Sequence, residues 1–310
     1  MLFSLNEYQI IVYGAPGTGK SYSIQKELEN QSVSNDNIFR VVFHRDYTYS
    51  DFVGFIAPSN NTDTISYEFI PGPFTMALLR AFQNSNPVCL LIEEMNRGNC
   101  AAIFGDIFQL LDRDKVTGNS EYAIANATIR SFLIDQGISL NEYNDAPELG
   151  ANDIYLPNNF IIVGTMNTAD QNVFTLDSAF KRRFQMRYLP LSFESTEQLI
   201  KLNSISKNNL FGGLYTWQDF AEYINRKIDM ENSESYSIPE DKKLGPYFAD
   251  EVDVSSRQGF CDKVLYYLKN DVFKYNENIL NESYEKIYDK FVNQEIDIFE
   301  IIDKEGNNET

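Results

Sequence analysis

One stretch limits the fold of this 310-residue chain more than any other. It is Gly14-Ala15-Pro16-Gly17-Thr18-Gly19-Lys20-Ser21, set between an apolar run and a helical pattern. The spacing is G-x-x-x-x-G-K-[ST], a loop whose glycines let successive N–H groups turn inward around phosphate oxygens. A helix opening directly behind the loop adds its positive end to that attraction. Lys20 is expected to reach the β- and γ-phosphates and Ser21 to ligate Mg²⁺, with Tyr22 closing the nucleotide-binding stretch. A chance glycine-rich turn needs neither the strand before it nor the helix after it; here both are present.

From the N-terminus to about Leu189, short apolar runs alternate with helical patterns, which implies βαβ units and a mainly parallel sheet flanked by helices. The strands are expected at Tyr8–Tyr13, Ile38–Phe43, Val88–Ile92, Phe160–Thr165 and Gln185–Leu189, since each is apolar on both faces as a covered parallel strand must be. Helices are expected over Gly19–Leu28, Phe74–Phe82 and Ala101–Leu111, the last because Ile103, Ile107, Leu110 and Leu111 recur at helical spacing. Two stretches exceed a minimal βαβ pattern: the aromatic-rich residues 44–73, broken by Pro58 and Pro71-Gly72-Pro73, and the long polar insert 112–157. Beyond Pro190 the patterns near Glu194–Asn203, Thr216–Lys227, Ser256–Tyr275 and Ser283–Ile302 are helical. The chain therefore divides into an α/β domain over residues 1–190 and a smaller helical domain over 191–310.

Val88-Cys89-Leu90-Leu91-Ile92-Glu93-Glu94 reads as a buried strand that carries two acids to the C-terminal edge of the sheet, where ligands bind in open α/β folds. Glu93 would hold the Mg²⁺ shell and Glu94 would act as general base on the attacking water. A strand end with solvated carboxylates looks the same in isolation; the pairing with the glycine loop favours the chemical reading. Thr165-Met166-Asn167-Thr168-Ala169-Asp170 follows another strand, and the Asn167 amide offers both a donor and an acceptor to a terminal phosphate and its attacking water. In Asp177-Ser178-Ala179-Phe180-Lys181-Arg182-Arg183-Phe184, three cations close a short helix. They also complement the helix dipole, but a guanidinium supplied from this corner to a neighbouring subunit is worth roughly 10³–10⁵ in rate. Arg182 is preferred and Arg183 is the second candidate, while Arg97 is a further intersubunit candidate or a cover for its own helix start.

Charge narrows the partners. Twenty-six basic against forty-five acidic residues leave a net charge of −19, so the chain as a whole repels nucleic acid and any DNA contact must be local or indirect. Three dispersed cysteines and a single histidine, His44, make neither a disulfide framework nor a zinc site. No apolar run is long enough to span a bilayer, and a cytoplasmic, membrane-free protein is expected.

The segments Leu91-Ile92-Glu93-Glu94-Met95-Asn96-Arg97-Gly98-Asn99 and Met166-Asn167-Thr168-Ala169-Asp170 resemble the McrB family of AAA+ proteins, the nucleotide-hydrolysing motor subunits of modification-dependent restriction systems. Tyr49-Ser50-Asp51-Phe52-Val53-Gly54 and Gly72-Pro73-Phe74 extend the likeness over about residues 8–190, and Leu244-Gly245-Pro246-Tyr247-Phe248 resembles part of that family's lid. The resemblance implies an AAA+ domain with a helical lid, the 44–73 stretch as an insert in the second helix, and a hairpin within 112–157. It implies Mg²⁺ with ATP or GTP as substrate, a homo-oligomeric ring of six, a McrC-like nuclease subunit as partner, and DNA reached only indirectly or through the pore. The sequence departs from the family pattern where Gln171-Asn172 follows Asp170. A MoxR- or dynein-like ATPase acting on a protein partner, and a nucleotide-dependent switch, remain the alternatives.

Overall fold

Apolar residues on both faces of a strand require a layer on each side, and the strand runs at Val88, Phe160 and Gln9 obtain one. The computed structural model describes residues 1–59, 66–143, 145–167, 174–194, 196–231, 238–275 and 279–303. They form two compact units: residues 1–13 with 20–189, and residues 14–19 with 190–310.

The first unit is built on a five-stranded parallel sheet in the order β2-β5-β8-β1-β9. Its strands are β1 (Gln9–Gly14), β2 (Ile38–Val42), β5 (Val88–Glu93), β8 (Phe160–Asn167) and β9 (Gln185–Tyr188). Two hairpin-like pairs stand apart from it, β3 (Gly54–Ser59) with β4 (Ser66–Pro71) and β6 (Ile124–Ala125) with β7 (Asp153–Ile154). The period of two sorts the central strands into two cores. Ile10, Val12, Cys89, Leu91, Ile161 and Val163 face α1 (Lys20–Asn30) through Ile24 and Leu28. Ile11, Leu90, Ile92, Phe160 and Ile162 face the other side, where α2 (Tyr49–Val53), α3 (Pro73–Gln83) and α4 (Cys100–Phe104) contribute Phe52, Phe74, Leu78 and Phe104.

Each expected strand is present with its ends moved by one or two residues. Tyr8 is not in β1: its φ of 54° belongs to the left-handed region and closes the turn before the strand. The helix expected over Ala101–Leu111 is divided. After α4, Gly105 takes φ 50° and residues Gly105–Leu111 continue as a tighter 3₁₀ helix. Its apolar side stays buried, so the burial pattern survives while the hydrogen-bond pattern changes.

The 44–73 stretch holds α2 and the β3–β4 pair. Phe52 is fully buried, but Phe55 and Tyr67 are 49% and 71% exposed, so only part of this aromatic set packs on the sheet. Within 112–157, α5 (Ala127–Asp135) lies between the two short strands β6 and β7. The corner α6 (Ser178–Arg183) precedes β9.

The second unit is helical around one apolar cluster. It contains α7 (Glu197–Asn209), α8 (Trp217–Glu231) and shorter segments at Arg257–Phe260, Tyr284–Tyr288 and Ile298–Asp303. The helices expected over Ser256–Tyr275 and Ser283–Ile302 are interrupted by wide π turns at Cys261–Leu265, Leu268–Val272 and Asp289–Asn293. Trp217, Phe220 and Phe260 form its centre, with ring centroids 5.1–6.4 Å apart. No helix among the described residues is long and apolar enough to cross a membrane.

Candidate functional site

Because β5 and β8 pair in parallel, with Ile92 beside Gly164, their C-terminal ends emerge at one edge of the sheet. β1, the other neighbour of β8, delivers Gly14 at that same edge. Glu94 follows β5 with φ 55° and ψ 44°, a left-handed conformation that costs an L-residue about 1–2 kcal/mol. Its surroundings hold it there. Its backbone N–H donates to Thr165 Oγ1 at 3.1 Å, and its Oε1 accepts from Asn167 Nδ2 at 2.7 Å. Arg97 Nε lies 3.2 Å from Oε2. The strand bearing Asn167 is itself tied back, since Asn96 Nδ2 donates to the Asn167 carbonyl at 2.7 Å. The turn after β5 is thus stitched to β8 by side chains from Glu94, Asn96, Thr165 and Asn167. The Glu94 side chain remains 26% exposed, which gives a carboxylate access to water while an amide fixes its direction.

Glu93 ends β5 on the α1 side, in alternation with Cys89 and Leu91. Arg40 from β2 approaches its Oε1 at 3.3 Å and also donates to Gln25 of α1 at 3.3 Å. The carboxylate of Glu93 and the hydroxyl of Ser21, in the first turn of α1, are hard oxygen donors of the kind Mg²⁺ takes. Among the described residues no group of three or more His, Cys, Asp or Glu forms a resident metal cage. Two protein oxygens with the remaining positions left to phosphate and water suit Mg²⁺, which retains several waters when bound.

The glycine loop has Gly17 at φ 73° and Gly19 at φ 82°. Thr18 Oγ1 donates to the Ala15 carbonyl at 3.0 Å and closes the loop on itself. Lys20 is buried at 9% exposure, whereas Tyr22 is 55% exposed and points away from the core. On its other side the loop meets the turn 244–248: the Tyr247 N–H donates to the Gly17 carbonyl at 2.9 Å.

The three cations proposed for intersubunit work have different settings. Arg183 binds Asp112 Oδ2 at 2.5 Å, and its guanidinium covers the Phe108 ring at 4.3 Å. Arg97 is engaged with Glu94. Arg182, one position earlier on α6, is exposed. Asp177 caps that helix by accepting from Phe180 N at 2.8 Å, and Phe180 anchors it against Phe104, Phe108 and Phe184. Thr168, Ala169, Asp170, Gln171 and Asn172 lie outside the described residues.

Sequence reasoning singled out Glu94, Asn167 and the loop, but not Arg40, Asn96, Thr165, Trp217 or Asn225. Arg40 carries an alternating-strand signal but none for its partner. Asn96 and Thr165 lie inside motifs whose neighbours drew the chemical argument.

The comparisons with known proteins agree with this architecture. A family model described as AAA domain (dynein-related subfamily) matches residues 9–184. The Type II restriction enzyme BsuMI component YdiS of Bacillus subtilis (strain 168) is 39% identical over 295 residues, covering 87% of this chain and 80% of that protein. The Type IV methyl-directed restriction enzyme EcoKMcrB subunit of Escherichia coli (strain K12) is 26% identical over 194 residues, which are 61% of this chain and 36% of that protein. These matches bear out the likeness to the McrB family noted at residues 91–99 and 166–170.

Proposed function

Since the chain belongs to the dynein-related subfamily of AAA domains and is a P-loop nucleoside triphosphatase, we propose that it is the ring-forming motor subunit of a DNA restriction system. The observation that carries the catalytic part is the 2.7 Å bond from Asn167 to Glu94 at the sheet edge where β1 hands over to the glycine loop. Glu94 takes the proton of the attacking water, and Asn167 holds that carboxylate and the water in line with the terminal phosphorus. Residues 14–22 wrap the triphosphate, with Lys20 on its β- and γ-oxygens. Ser21 and Glu93 would hold Mg²⁺, which when bound neutralises charge on the transferring group. Arg182 from a neighbouring copy supplies the remaining positive charge, while Arg183, occupied by Asp112 and Phe108, keeps the corner in place. The nucleotide is ATP or GTP, the assembly a ring of six in the cytoplasm, and cleavage of DNA belongs to a McrC-like partner chain. The similarity to two restriction components supports this reading, and so does the net charge of −19, which leaves DNA handling to the pore or to the partner.

The test is Glu94→Gln. It should lower kcat by about 10²–10⁴-fold while triphosphate still binds; unchanged turnover would remove Glu94 as the base. Turnover per subunit should rise with protein concentration and fall when Arg182→Ala subunits are mixed in. Hydrolysis of ATP and GTP, run side by side over those concentrations, decides the base. The same acidic surface also suits a MoxR- or dynein-like enzyme that remodels a protein. Stimulation by a partner nuclease and DNA, rather than by a protein substrate, separates the two.

A further inference from the structure

The turn Leu244-Gly245-Pro246-Tyr247-Phe248 is held with unusual completeness for a loop. The Asn225 side chain grips both main-chain atoms of Leu244: Nδ2 donates to its carbonyl at 2.9 Å, and its N–H donates to Oδ1 at 2.7 Å. Trp217 Nε1 donates to the Pro246 carbonyl at 2.9 Å. Both side chains are buried on α8, so the turn inherits the rigidity of the helical core. The Tyr247 hydroxyl pairs with Thr196 Oγ1 at 2.9 Å, and the Phe248 ring packs on Tyr267 with centroids 4.6 Å apart.

What this turn touches is the glycine loop, whose residues 14–19 belong to the same compact unit. Beyond the bond from Tyr247 N–H to the Gly17 carbonyl, the two main chains lie so close that neither admits a side chain. A Cβ on Gly245 would sit 2.4 Å from both the carbonyl carbon and the oxygen of Gly17, and one on Gly17 would sit 2.6 Å from Phe248 N. A Cβ on Gly19 would meet the Tyr247 ring at 3.0 Å. A loop with two glycines at positive φ has many other conformations open to it, and selecting the one that cradles phosphate lowers affinity unless something outside the ligand selects it first.

We propose that the turn 244–248 is a main-chain clamp that presets the glycine loop for phosphate, with Gly245 and Tyr247 as its positioning residues. This rests on the reading of residues 14–22 as the triphosphate site. The clamp touches the main chain of residues 16–19. Loosening it therefore weakens nucleotide binding, by one factor for ATP and GTP alike, and leaves the chemical step at saturation.

The experiment measures equilibrium binding of fluorescent ATP and GTP analogues to the full chain, together with kcat and KM, for wild type, Gly245→Ala, Tyr247→Phe, Thr196→Val and Lys20→Ala. Gly245→Ala should raise Kd and KM by about tenfold or more for both nucleotides, with kcat within about twofold of wild type. Tyr247→Phe and Thr196→Val each remove one hydroxyl from the clamp and should raise Kd by about two- to fivefold. A merely structural turn would lower the melting temperature without splitting KM from kcat. If a folded Gly245→Ala binds as wild type while Lys20→Ala does not bind, the clamp is wrong and the phosphate site stands. If Lys20→Ala binds as wild type, the phosphate-site reading itself fails. Should Gly245→Ala not fold, unchanged Kd in both hydroxyl variants overturns the clamp.

Discussion

In the proposed nucleotide site the groups offered at the ends of β5 and β8 are side chains, whereas between Gly14 and Gly19 they are main chain. The first region is stiffened by what lies beneath it: buried strands, with Thr165 and Asn96 joining one turn to the next. The second has the Thr18 hydroxyl bound to the Ala15 carbonyl and is also held from outside, by a turn that Trp217 and Asn225 keep rigid. The difference separates two tasks. Orienting a water needs a carboxylate fixed to within a few tenths of an ångström. Binding phosphate needs an array of N–H groups in one conformation. Changes in the first region should act on kcat, and changes in the second on affinity.

The largest effect that tests this division is expected from Asn167→Ala. It removes the donor at 2.7 Å from Glu94, while Arg97, whose side chain is half exposed, stays beside the carboxylate. Hydrolysis at saturation should fall by about 10²-fold or more, with nucleotide Kd unchanged. A rise in Kd as large as the fall in kcat would show that the two regions are not separate. Next comes Trp217→Phe, which keeps a ring in the helical core but leaves the Pro246 carbonyl without its donor. A buried acceptor left unpaired costs about 1–3 kcal/mol, read as a lower melting temperature, and Kd should rise while kcat holds.

What could be read in advance follows the same line. The strands at Gln9–Gly14, Val88–Glu93 and Phe160–Asn167 were legible because burial on both faces leaves a run of apolar residues along most of each. The meeting of Glu94 with Asn167 was legible as an expectation, because the chemistry proposed for this edge needs those side chains after those strands. The helix break at Gly105 was not, since an apolar stripe at helical spacing serves an α-helix and the 3₁₀ continuation equally. The π turns near Cys261 and Asp289 escaped for a similar reason: one extra residue per turn is decided by packing, not by propensity. The role proposed for Gly245 left a family-like segment, residues 244–248, as its trace but not its partner, because a main-chain contact between residues more than 220 apart has no composition.

The three cysteines give a smaller effect that compares the units directly. Cys89 and Cys100 lie in the first and Cys261 in the second, and burial pushes each thiol up from 9.0 to about 12. Below pH 9 the thiol is neutral both folded and unfolded, so its contribution is fully present. Between pH 9 and 12 the unfolded chain loses a proton that the folded chain keeps, and stability falls as pH rises. For Cys89 the loss is about 1 kcal/mol at pH 10. Alkylation followed residue by residue over that range should label Cys261 and Cys89 at different rates if the units open separately, and at one rate if they open together.

The smallest effect is expected from Asp112→Asn. The ion pair with Arg183 is partly exposed, at 23% for the arginine side chain and 37% for the aspartate, so screening limits it to about 1 kcal/mol or less. The guanidinium keeps its place over Phe108 at 4.3 Å, and α6 keeps its Asp177 cap, so Arg182 should still be presented from the same corner. Turnover at high protein concentration should change by no more than about twofold, and the small loss of stability should vanish in high salt. Arg183→Ala removes both the ion pair and the ring contact, so it should lower stability more, yet still fail to poison mixed assemblies. If Arg183→Ala poisons them as strongly as Arg182→Ala does, the arginine that serves the neighbour is Arg183. Its bond to Asp112 would then be the resting position of a group that must let go before it can act.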